Sequence, residues 1–201
     1  MSFANETWHS TSRSGKRGTG SSSGRFFDGS RSSAERITKV KREDIIYMNR
    51  ITPILRQLEV ANRSILNLID SMEASDLDIS LGQNKRNVRE LLTHISSIYK
   101  ADVLIMNETG QKEIEKFYSG HDPQTSGQIK ERLTSNFEYL KDSIRHYREE
   151  DWLVVTTSWW GVSYSRYEWM LEILAHTYHH RGQLHTALSM NGKDLAVPLF
   201  E

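Results

Sequence analysis

The sequence predicts an all-α protein, a four-helix bundle behind a disordered, Ser/Gly-rich N-terminal tail. Three observations carry this reading. Four long segments place apolar residues at three- and four-residue intervals, the spacing of one face of a helix. Only three prolines interrupt 201 residues. No stretch makes a convincing sheet.

Residues 1–33 hold ten Ser and five Gly, with five Lys/Arg against two acids, a net of +3. Such a segment buries too little apolar surface to offset its ordering entropy, so it is read as a disordered tail. Trp8, Phe26 and Phe27 are candidate anchors, locally or on a partner. Residues 34–201 are read as the bundle domain. Helix one is expected from Thr52 to Met72, with Thr52 as cap and Pro53 at the first helical position. Ile54, Leu58, Ala61, Ile65, Leu68 and Met72 trace its inward face. Glu43 to Arg50 reads as a helical extension kinked at Pro53.

Helix two begins at Asn87, where Glu90 three residues on completes a capping box. Val88, Leu91, Ile95, Ile98, Asp102 and Ile105 form its stripe, and Asn107 and Gly110 mark its end. Helix three spans Ser126 to Arg148 on the cleanest amphipathic pattern of the chain: Ile129, Leu133, Phe137, Leu140, Ile144 and Tyr147. Asp151 to Tyr164 has β character and reads as an extended connection or a short hairpin over one end of the bundle. Helix four runs from Ser165 to Met190 and stops at Asn191-Gly192.

Composition narrows function. Formal charge is +0, which demands neither nucleic acid nor an anionic membrane as partner. With zero cysteines the chain has no disulfide, no thiolate ligand and no catalytic thiol. No apolar run approaches the roughly 20 residues of a membrane span, and no signal-peptide core opens the sequence. A soluble cytoplasmic protein is the expectation.

Helix four carries the chemistry. His176 and His180 lie one turn apart in its apolar row of Trp169, Ile173, Leu184 and Ala187. Buried imidazoles need partners for their ring nitrogens, and a divalent metal serves several at once. Ordinary core histidines are the alternative on spacing alone. His94 sits beside the inward row of helix two, in reach of the same point in a bundle. Three His ligands and one open position are the arrangement of a catalytic site. His9, His121, His146, His179 and His185 read as surface residues. Glu90 and Glu172, each one turn before a histidine, are candidate outer partners or else solvated acids. Gly182 in mid-helix suggests close approach of another backbone, with a merely tolerated glycine as the alternative. Arg181 and Gln183 read as hydrogen-bonding residues for the fold, or for a substrate carboxylate. Trp159, Trp160 and Tyr164 are candidate pocket walls, or packing for the loop. Asn62 and Arg63 are weaker candidates for substrate contact.

The stretch from Val88 to Ile95, the run His176 to Gln183 with Leu184, and the closing Pro198-Leu199-Phe200-Glu201 resemble the DinB family of metalloenzyme-like bundles over roughly residues 45–201. The resemblance implies a four-helix bundle, a homodimer, and a divalent metal on His94, His176 and His180. Zinc or nickel suit those donors, with iron or copper as alternatives. It also implies kinship with thiol-dependent transferases, which use a low-molecular-weight thiol and a small electrophilic substrate. The leading expectation is therefore a metal-dependent thiol S-transferase or small-substrate hydrolase. The alternative is a non-catalytic stress-response or metal-binding dimeric bundle.

Overall fold

The structure, a computed structural model, describes residues 33–198 except 84, 121 and 194, with side chains from residue 51 onward. The described residues form five α-helices: α1 (Ser33–Asp70), α2 (Val88–Met106), α3 (Gln111–Tyr118), α4 (Ser126–Ile144) and α5 (Arg166–Met190). A two-stranded antiparallel hairpin, β1 (Val155–Thr157) and β2 (Ser163–Ser165), leads into α5. Its register pairs Val155 with Ser165, Thr156 with Tyr164 and Thr157 with Ser163.

The four long helices make the bundle. Helix α2 packs against both α4 and α5, and α1 closes the ring against α5 and α4. The apolar stripes meet at its axis: Leu58, Ile65 and Leu68 of α1; Leu91, Ile95 and Ile98 of α2; Ile129, Leu133 and Leu140 of α4; Ile173 and Leu184 of α5 are all essentially inaccessible. Each such side chain contributes about 1.5–3 kcal/mol relative to exposure, which is how amphipathic segments of ordinary propensity become helices.

Side-chain caps fix where three helices start. Asn87, Thr125 and Ser165 each accept from the backbone N–H three residues on, while Glu90, Gln128 and Glu168 reach back to the cap residue's N–H. The α2 cap matters most, because it sets the phase of the helix that carries His94. Asn87→Ala is expected to destabilise the protein by about 1 kcal/mol, read as a lower urea midpoint at unchanged m-value.

Two hydrogen bonds to adjacent residues of β1 pin the hairpin. Trp169 Nε1–H of α5 donates to the buried Thr156 hydroxyl at 2.9 Å. The Thr157 N–H donates to Glu108 Oε1 at 2.9 Å, which ties the strand to the end of α2. Gly161 turns the chain at φ +91°, a left-handed conformation that costs a glycine little.

Several expectations need correction. Thr52 does not cap a helix, because α1 begins at Ser33 and passes through Pro53. Pro53 is exposed, so water can satisfy the carbonyl that its ring leaves without a donor. Ser33, assigned to the tail, is the first residue of α1. The rest of the tail, residues 1–32 with His9, lies outside the described residues. Helix α4 ends at Ile144 rather than Arg148, and a 3-10 turn over Glu149–Leu153 follows it. The eight residues of α3 were not anticipated, being too short to show a period. Asp151 to Tyr164 holds that turn and then the short hairpin, one of the two forms foreseen.

Candidate metal centre

Packing of α2 on α5 brings His94 to His176 and His180. His94 Nε2 lies 3.2 Å from His176 Nε2 and 3.0 Å from His180 Nε2. The ring of His94 stands edge-on to His180, at 85° and 4.5 Å between centroids. His180 is buried, only 3% exposed, while His94 and His176 are half-buried. The three ligand atoms lie within 4.8 Å of one another and can hold a metal ion.

The outer nitrogens decide what the inner ones offer. His176 Nδ1 is 2.9 Å from Asp102 Oδ2, and a carboxylate accepts, so the imidazole donates there. His180 Nδ1 is 2.8 Å from Gln183 Oε1, and it donates to that amide oxygen. Both Nε2 atoms are then lone pairs facing a third Nε2. A single N–H on His94 cannot point well at both. A metal at the usual 2.0–2.1 Å from tetrahedral imidazole ligands spaces their nitrogens by about 3.3 Å, close to what these rings show. The donor set therefore fits a borderline divalent cation.

The electrostatics agree. His94 is pushed down to about 3, by burial first and then by the neighbouring His180, His176 and Arg86 charges. At physiological pH it therefore offers an unprotonated ring nitrogen to the cluster. Glu172 is exposed, yet its carboxyl is held above the usual carboxylate range. Desolvation is the larger cause, then the Asp102 charge, with His176 opposing. Burial and the same Asp102 charge raise the Tyr118 phenol of α3. Glu172 and Tyr118 thus mark the edge of the site on the Asp102 side.

Of the two readings open for Glu90 and Glu172, both exposed, the structure favours the solvated acid. Glu90 is occupied by the α2 cap, and Asp102 takes the place proposed for Glu172 beside His176. The available signal was an acid standing in the apolar row of α2, two turns past His94. Asp102→Asn is expected to weaken metal binding by about ten- to a hundredfold, measured by chelator competition.

Other candidates sort plainly. A Cβ on Gly182 would meet nothing within 4 Å, so no backbone approaches it closely. Arg181 is buried against Ser64 of α1 and the Tyr178 ring, a role in the fold. Asn62 is buried and Arg63 exposed on α1. Trp159 and Trp160 meet edge-to-face at 4.2 Å between centroids and stay about half exposed, while Tyr164 packs on Trp169. His146 and His179 are exposed as expected, His185 is half-buried, and His121 lies outside the described residues. A surface cleft between α1 and α4, lined by Leu66, Asp70, Lys130 and Thr134, includes none of the three histidines.

The family model for the DinB family matches residues 48–195, a span containing all three histidines and both outer partners. The chain belongs to the DinB family. A crystal structure of a DinB-family protein from Exiguobacterium sibiricum 255-15 is 29% identical. It aligns over 74% of this chain and 96% of its own, with a TM-score of 0.65. A DinB-like protein from Bacillus cereus ATCC 10987 shares the fold at 12% identity, over 74% of this chain and 97% of that one, with a TM-score of 0.62. No curated protein matches the sequence. The DinB match begins at residue 48, inside α1. Among the described residues no helix is long and apolar enough to cross a membrane.

Proposed function

We propose that His94, His176 and His180 hold a divalent transition metal, zinc or nickel before iron or copper. In this reading the chain is a metal-dependent enzyme that transfers a small thiol to an electrophile or hydrolyses a small substrate. The support is the convergence of three Nε2 atoms, two of them turned inward as lone pairs by acceptors at Nδ1. When bound, such a metal lowers the pKa of a coordinated water or thiol and supplies a nucleophile near neutral pH.

The chain's own residues shape that chemistry. An imidazole ligand brings no negative charge of its own, and the Asp102 carboxylate stands behind His176. A cation so held favours an anionic fourth ligand, hydroxide or thiolate. The sequence has no cysteine, so a thiol must come from outside as a low-molecular-weight cosubstrate. Glu172, one turn before His176 with its proton affinity raised, is available to take up the proton that such a ligand releases. The setting proposed is a homodimer in the cytoplasm, with residues 34–201 as the working domain.

The test is metal content after purification without chelators, followed by turnover of an electrophile panel with several thiols or water. Stoichiometric metal with metal-dependent turnover is the expected result. Stoichiometric metal with no turnover on any pair would move the protein to the non-catalytic metal-binding reading. A metal-free protein that takes up none on titration would end both.

A further inference from the structure

The outer nitrogens of the histidines are not supported alike. His176 meets a carboxylate, whereas His180 meets the amide of Gln183, three residues further along α5. Both ends of that amide are committed. Oε1 lies 2.8 Å from His180 Nδ1, and Nε2 lies 2.9 Å from His179 Nε2. The rings of His179 and His180 stand edge-to-face at 4.9 Å, so the amide spans two adjacent imidazoles on one helix.

An amide has one end that only accepts and one that only donates. Its oxygen at His180 Nδ1 requires the proton on Nδ1, and that leaves His180 Nε2 as a lone pair 3.0 Å from His94 Nε2. Its nitrogen at His179 Nε2 requires a lone pair there. Turned over, the amide would present –NH2 to His180 Nδ1 and drive the ring proton to Nε2, into the point where the three imidazoles meet. Because His180 is 3% exposed, water has little access to substitute for the lost acceptor.

We infer that Gln183 is a positioning residue for the metal: its Oε1 selects the His180 tautomer able to ligate, and His179 holds the amide in that orientation. This assignment presupposes the three-histidine metal site. Metal ligands that donate their second nitrogen to a fixed acceptor are more basic and better aimed, and loss of such an acceptor weakens binding about ten- to a hundredfold.

The experiment compares wild type, Gln183→Leu, Gln183→Glu, His179→Ala and His180→Ala. Zinc affinity is read by chelator competition, and the His180 tautomer in the metal-free protein by nitrogen-15 NMR of the ring. In Gln183→Leu the zinc affinity should fall about ten- to a hundredfold while His180 shifts toward the Nε2–H form. Gln183→Glu, which keeps an acceptor, should bind zinc at least as tightly as wild type. His179→Ala should lose less than Gln183→Leu. If Gln183→Leu binds zinc like wild type while His180→Ala does not bind, the inference fails and the metal site stands. If wild type binds no zinc, the metal reading fails. An unchanged His180 tautomer in Gln183→Leu overturns the role of Gln183 in either case.

Discussion

Replacing His180 with alanine is expected to abolish the thermal stabilisation that zinc or nickel gives the wild-type protein. A ligand that binds only the folded state at about a hundred times its Kd stabilises by about 2.7 kcal/mol. For a domain of this size each kcal/mol moves the melting midpoint by about 2–4 °C, so metal should raise the wild-type Tm by about 5–10 °C. His180 is the most buried of the three histidines, and its Nε2 sits 3.0 Å from that of His94. Without it, two half-exposed imidazoles on different helices remain. His180→Leu separates metal loss from damage to the core. It refills the buried volume with an apolar side chain between Ile173 and Leu184, both inaccessible neighbours on the same face of α5. The metal-free leucine variant should melt no lower than metal-free wild type, because it removes a buried polar ring from a crowded cluster. A His180→Ala protein that still shows the full metal-induced shift would remove His180 from the site. A leucine variant far less stable than wild type in the absence of metal would show that the cluster serves the fold.

What could be read in advance follows from the range over which each signal acts. The limits of α2 and α5 are local facts. A capping box at Asn87 or Ser165 and a terminator at Asn191 lie within a few residues of what they control. The His176–His180 pair is legible for the same reason, since a helix fixes i and i+4 on one face. His94 joined them because its helix showed a clear stripe and because the two motifs together matched a family pattern.

Asp102 was visible but misread. It stood in the α2 stripe as one more inward position, and only the packing of α2 on α5 puts it 2.9 Å from a histidine 74 residues away. Gln183 had the right spacing from His180, but spacing cannot say which way an amide turns. Thr52-Pro53 shows the opposite failure. A strong local start signal was overridden by a helix that had already begun at Ser33. At Gly182 the missing side chain suggested a neighbour, while the structure has open space there.

Acidification is expected to destabilise the metal-free protein between about pH 6.5 and pH 3, with His94 as a main source. The folded state holds His94 at about 3, against 6.5 for a solvated imidazole, with burial as the largest cause and the His180 and His176 rings next. A depressed folded value means that the unfolded chain binds the proton more readily. The contribution of His94 is thus fully present above the unfolded value and is lost as pH falls toward the folded one. At pH 5 the loss is about 2 kcal/mol, from the unfolded chain alone taking up the proton. Urea unfolding of metal-free wild type and His94→Leu at pH 7 and pH 5 measures it. The wild type should lose about 2 kcal/mol more than the variant between the two conditions, and equal losses would remove His94 as the source. The same protons compete for the lone pairs that a metal would use, so the metal-induced rise in Tm should shrink across that window too. A site built only for stability would gain from replacing these imidazoles with apolar side chains. An imidazole held against protonation at the meeting point of three histidines is what a cation-binding centre requires.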